Sequence, residues 1–243
     1  MGIVFKAQHP VFGRGKPLAL SYQQRSPYYW WWAFLRRNER YLACCAAGGD
    51  GELAALYADF GDVREDDFKA WWTQRGYRLF SEQPKPVKLK ELASPAEWDP
   101  AWQAETVMVV AVPLDLSKRY LQGFFAKLLK ERHKGQRGRK ALSDSDASTA
   151  RYPLERNVSV HTLRIQLAVY DAVSAKQRGE DKRTLAQIGA DMRLVPTALP
   201  DSKDSPLEAV AKRNVMTATV SRYHRAARKI VENTALGRFP KSQ

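Results

Sequence analysis

Only two cysteines and four histidines occur in the 243 residues of this chain. Cys44 and Cys45 are adjacent in a stretch of helical pattern, where neighbouring side chains diverge. They are poorly placed to bridge each other and read as reduced thiols of a reducing compartment. His9, His133, His161 and His224 are scattered, so no zinc site of ordinary spacing can be assembled from them and the cysteine pair. Long apolar runs are missing as well. The longest in the N-terminal half, Tyr28 to Leu35, falls far short of the ~20 residues that span a bilayer, and Arg36-Arg37 closes it. Met1 to Ala19 lacks a continuous apolar region behind a basic start, which argues against a secretory signal; a cytoplasmic protein away from the membrane is expected. Acid is also scarce. Asp and Glu total 26 against 40 Lys and Arg, a formal charge of +14 with a pI near 9.8. That imbalance implies a polyanionic partner, nucleic acid first and an anionic membrane surface second.

Catalytic sets are lacking too. There is no phosphate-binding glycine loop and no nucleophile elbow. Asp59-Phe60-Gly61 spells the metal-binding triplet of protein kinases, but the other parts of that machinery are absent and the triplet reads as a helix-terminating turn. The cluster Asp59, Asp62, Glu65, Asp66 and Asp67 suits a loop and a helix start, where carboxylates cap backbone N–H groups. Tyr223, the one C-terminal tyrosine a recombinase could use, lies on an apolar stripe. No enzyme, metal or cofactor is expected.

What the chain does have is a basic, periodic segment from Pro206 to Pro240. Val220, Tyr223, Ala227, Ile230 and Val231 recur at spacings of three and four and share one helical face. Arg222, Arg225, Arg228 and Lys229, with His224 among them, occupy the remainder. No Asp or Glu occurs between Lys212 and Lys229, whereas a merely solvated helix face usually mixes both signs. Two short helices are read here, Leu207 to Arg213 and a second one capped by Thr217 or Thr219, joined by a turn. That is the outline of a helix-turn-helix reader of DNA.

The run Asn214-Val215-Met216-Thr217-Ala218-Thr219-Val220-Ser221-Arg222 resembles the turn and recognition-helix start of lactose-repressor-type helix-turn-helix domains. The resemblance implies that Thr217, Ala218, Ser221 and Arg222 face the bases and that Val215 and Val220 hold the turn in the core. Arg225 and Lys229 extend the same basic face. A second assignment makes Thr184 to Met192 the supporting helix and Leu207 to Arg213 only a turn; the recognition helix is the same in both.

Elsewhere the pattern is that of a mainly α protein with a small β component. Three spans are expected: an aromatic-rich N-terminal helical domain, 1–104; a strand-helix segment with a basic loop, 105–155; and a C-terminal helix-turn-helix domain, 156–243. Helices are expected from Pro27 to about Ala47, Glu52 to Phe60, Glu65 to Gly76, Lys118 to His133, Ser159 to Gly179 and Thr184 to Leu194. Glu105 to Leu116 is a continuous β-branched run and reads as a strand buried on both faces. Lys130, Arg132, Lys134, Arg137, Arg139 and Lys140 form a second basic footprint, able to follow a phosphate backbone without reading sequence.

Trp30 and Trp32 cannot share the stripe of Tyr28, Trp31, Phe34 and Leu35. Beside a core role, this makes them candidates for stacking on bases or for a protein contact, including self-association through the aromatic region. The whole chain also resembles a type of uncharacterised bacterial protein associated with mobile elements, through Tyr28 to Arg37, Asp59 to Val63 and Gly237 to Pro240. The expected function is sequence-specific binding of double-stranded DNA in transcriptional regulation or mobile-element maintenance. The alternatives are a non-specific DNA- or RNA-binding subunit of a nucleoprotein assembly and, further off, a nuclease or recombinase.

Overall fold

The computed structural model describes residues 5–13, 15–82, 108–132, 150–155 and 159–241, with the isolated positions 92, 94 and 148. The fold is mainly α, with 58% helix and 2% strand among the described residues. In chain order the helices are α1 (Leu20–Gln23), α2 (Pro27–Leu35), α3 (Glu39–Ala46), α4 (Ala54–Phe60), α5 (Phe68–Trp71), a π-helical turn (Trp72–Gly76), α6 (Tyr77–Phe80), α7 (Lys118–Arg132), α8 (Val160–Gln177), α9 (Leu185–Asp191) and α10 (Pro206–Thr234).

The expected division at 104 and 155 is not the one the chain adopts. Residues 1–83 and 148–243 form one compact unit, and 84–147 form another. The reason lies in α2. A helix that is apolar on every side must be surrounded, and Tyr28, Trp30, Trp31, Trp32, Ala33, Phe34 and Leu35 are all buried. The N-terminal helices cannot enclose α2 alone, so α8 and α10 pack against it. Leu163, Leu167, Ala227, Ile230, Val231 and Phe239 join the aromatic residues in a single core. Trp30 and Trp32, which the sequence offered to bases or a partner, are 4% and 1% exposed and belong to that core.

One helix was expected from Pro27 to Ala47; there are two. Ser26 caps α2 by accepting from the Tyr28 N–H, and α3 starts afresh at Asn38, whose Oδ1 accepts from the Tyr41 N–H at 3.0 Å. α4 ends where Gly61 takes φ +67, a conformation costly for residues with a Cβ. Its last carbonyls, without partners inside the helix, are served by side chains. Arg75 donates to Ala58 O, the Trp71 indole to Phe60 O and the Tyr41 hydroxyl to Gly61 O. Asp59-Phe60-Gly61 is thus a helix end, and Phe60 lies in the core.

Two of the C-terminal helices start on strong caps. Thr184 and Gln187 form a reciprocal capping box on α9. Ser205 and Glu208 do the same for α10, with Pro206 at its first position. α10 then runs for 29 residues without interruption. The turn expected at Asn214 is absent, and Leu207 to Arg213 are the first turns of this helix. Thr217 and Thr219 are mid-helix residues, not caps. A break needs a residue that prefers the left-handed conformation or cannot donate to the helix. α10 has no glycine and its one proline is at the start, while a mid-helix Asn costs well under ~1 kcal/mol. Val215, expected to hold the turn in the core, is 48% exposed, whereas Val220 is fully buried.

In the second unit α7 is formed through Arg132, the last described residue of its expected span. Tyr120, Phe124 and Leu129 on it are exposed. The strand expected over Glu105 to Leu116 is not formed from 108 to 116, where Met108, Val109 and Val112 are exposed; 105–107 lie outside the described residues. A strand needs a partner for its backbone groups, and none pairs with this run among the described residues. In the first unit a parallel bridge joins Leu154 and Phe239.

Candidate nucleic-acid interface

α10 carries its side chains on two opposed faces. Met216, Val220, Ala227, Ile230, Val231 and Thr234 are buried, held by α8 and α9 along its length and by α2. The α9 contact is unusually close. A Cβ on Gly189 would stand 2.5 Å from Met216 Cγ and 2.8 Å from Val220 Cγ2, so only glycine permits this approach. The helix is therefore fixed in rotation, and its other face is set with it.

On that other face Ala218, Arg222, Arg225 and Lys229 are all exposed. Their spacing places them within about 60° of one another around the axis. None of Arg222, Arg225 and Lys229 has an acidic partner among the described residues; Arg222 lies 5.6 Å from the ring centre of Tyr223. Thr217 and Ser221 are half-buried at the edge of the stripe, and the Ser221 hydroxyl donates to Thr217 O at 2.9 Å. Four of the expected base-facing and basic residues of this helix are thus brought into one line, with two at its margin.

The second basic footprint is only partly described. Lys130 and Arg132 are exposed in the last turn of α7. Lys134, Arg137, Arg139 and Lys140 lie outside the described residues.

Beside the stripe is a pocket of about 230 Å³. Val173 of α8, Leu185 of α9 and Val220 of α10 supply its apolar lining; Ser221, His224, Arg225 and Arg228 supply its polar one. His224 stacks on Tyr170 with ring centres 5.7 Å apart. Burial, then the neighbouring Arg228 charge, holds the imidazole below its ordinary range. Its neutral form is therefore favoured at neutral pH. Arg228 reaches Glu232 at 3.4 Å, both side chains being more than half exposed. Sequence periodicity gave no sign of this pocket, because two of its walls come from other helices.

Other long-range pairings were equally hidden. Asp59 accepts from the Tyr152 hydroxyl at 2.6 Å and pairs with Arg151 at 2.7 Å. Burial, then the Asp59 hydrogen bond, pushes the Tyr152 phenol up to about 12. Phe239 stacks on Trp31 at 5.2 Å, so the segments Tyr28 to Arg37 and Gly237 to Pro240 meet in the core. Cys44 and Cys45 are free and buried. No helix among the described residues is long and apolar enough to cross a membrane. The chain matches no family model, no curated protein and no solved structure, so its own residues carry the functional reading.

Proposed function

We propose that the protein binds double-stranded DNA in a sequence-specific manner, with the exposed face of α10 lying in the major groove. The observation that carries this reading is the stripe of Ala218, Arg222, Arg225 and Lys229, exposed on a helix whose opposite face is locked into the core. An α-helix about 10–12 Å across fits a groove about 12 Å wide. Within it, Arg222 and Arg225 carry guanidinium forks suited to guanine edges, Ala218 suits a thymine methyl, and Lys229 suits phosphate. Thr217 and Ser221 stand at the margin of the reading face. In this reading α9 is the supporting helix, joined to α10 by residues 192–205 in place of the three- or four-residue turn of the usual motif. Regulation of transcription or maintenance of a mobile element is the role that suits such a reader.

Selection of binding sites from a random duplex pool by the purified protein tests the reading, and one enriched motif is expected. The net charge of +14 favours a second reading, a non-specific subunit of a nucleoprotein assembly. That protein would leave the pool random and show a steep salt dependence.

A further inference from the structure

The pocket between α8, α9 and α10 lies to one side of the stripe. Around the α10 axis, Ser221, His224 and Arg228 are displaced by about 60–120° from the line through Ala218 and Lys229, and Arg225 stands between the two sets. When a helix lies in the major groove, its outermost face meets base edges and its flanks meet the sugar-phosphate walls. A concave site on that flank, bordered by two guanidiniums and an imidazole, has the donors a phosphate needs. The apolar side chains Val173, Leu185 and Val220 line the same pocket and lower the local dielectric, which strengthens a charge-assisted bond made there.

We infer that this pocket seats one backbone phosphate of the bound duplex, with Arg228 as its charged ligand and His224 as a lateral hydrogen-bonding group. The inference rests on the DNA-binding reading and gives it a register: the seated phosphate fixes which base pairs lie beneath Arg222. Glu232 competes with that phosphate for Arg228 and is released when the duplex docks.

The test is a scan of the selected duplex in which each backbone phosphate in turn is replaced by a neutral methylphosphonate. It is read with the intact protein and with Arg228→Gln, and inorganic phosphate binding to the protein alone is followed in parallel. Arg228 is exposed and outside the core, so Arg228→Gln is expected to fold; circular dichroism checks this. In the intact protein, one phosphate per helix contact should stand out with a loss of about tenfold. In Arg228→Gln that position should become indifferent, affinity should fall alike for all sequences, and the salt slope should become shallower by about 0.9. Glu232→Gln should tighten binding at least twofold at the same phosphate.

Identical methylphosphonate profiles in the intact protein and Arg228→Gln would overturn the pocket assignment and leave DNA binding standing. Failure of the intact protein to bind any duplex would overturn both. If inorganic phosphate then still bound in an Arg228-dependent way, the ligand would be a free phosphate group and not a nucleic-acid backbone.

Discussion

The side-chain amide of Asn38 donates to the main-chain oxygen of Val231 at 2.8 Å across 193 positions of sequence. Val231 lies in the last turn of α10, where carbonyls have no main-chain partner within the helix, and the Thr234 hydroxyl donates to the same oxygen at 2.6 Å. The other end of the same amide caps α3 by accepting from Tyr41. One buried side chain thus starts one helix and finishes another, tying the aromatic N-terminal helices to the candidate DNA-binding helix.

Asn38→Ala should therefore cost more than an ordinary cap. Loss of the cap accounts for about 1 kcal/mol, and loss of one hydrogen bond to a carbonyl that keeps the Thr234 hydroxyl for about 0.5–1.5 kcal/mol more. Asn38→Asp keeps the cap but cannot donate to Val231, so it should fall between the two. Urea unfolding of the three proteins reads the difference; equal stability of wild type and Asn38→Ala would remove the tie from the account.

Gly189→Ala sets two effects against each other. Alanine favours the helix by up to ~1 kcal/mol. Its Cβ, however, would overlap Met216 and Val220, both fully packed. Met216 can shift along its flexible chain, but the β-branched Val220 cannot. Overpacking of about 1–3 kcal/mol outweighs the propensity gain, and a lower Tm is expected. A duplex affinity that falls at temperatures where the variant remains folded would show that α9 also sets the position of α10.

Arg222→Ala and Arg225→Ala should each weaken binding to the selected site by about 1–3 kcal/mol and relax preference at one position. Lys229→Ala should weaken all sequences about equally, with a shallower salt slope. Measuring each variant against selected and scrambled duplexes separates the two behaviours. Unchanged preference in both arginine variants would sink the base-reading assignment.

The start of α10 should loosen in acid. Lys212, then the Asp201 backbone N–H, holds the Asp204 carboxyl below its usual range. The Ser205 side chain, then the Ser205 backbone N–H, does the same for Glu208. A folded pKa below the unfolded one gives stability that is complete above the ordinary carboxylate range near pH ~4 and is lost as pH falls through the depressed values. Glu208 is exposed and Asp204 half-buried, and the bonds they make are to residues at or just before the start of α10, so the effect is local to the first turns. Amide hydrogen exchange, corrected for its intrinsic pH dependence, should show protection at 209–212 fading in that window before protection at Ala227 and Ile230. Simultaneous loss at both places would contradict a local cap.

Much of this molecule could be read from local pattern. The sequence by itself determined the mainly helical class, the start of α2 at Pro27, the buried positions Val220, Ala227, Ile230 and Val231, and the basic stripe opposite them. Periodicity and capping act within a few residues, so these features were legible without the fold. Only the tertiary structure decided that Trp30 and Trp32 are core and that the two ends of the chain share one interior. An all-round apolar helix states that it must be covered, but not by what. The continuity of α10 through Asn214 was likewise beyond local reading, since a modest asparagine penalty is outweighed by side chains packed along the C-terminal half of the helix. The pocket beside the stripe is walled by α8 and α9 as well as α10, and proximity between helices distant in sequence is a property of packing alone.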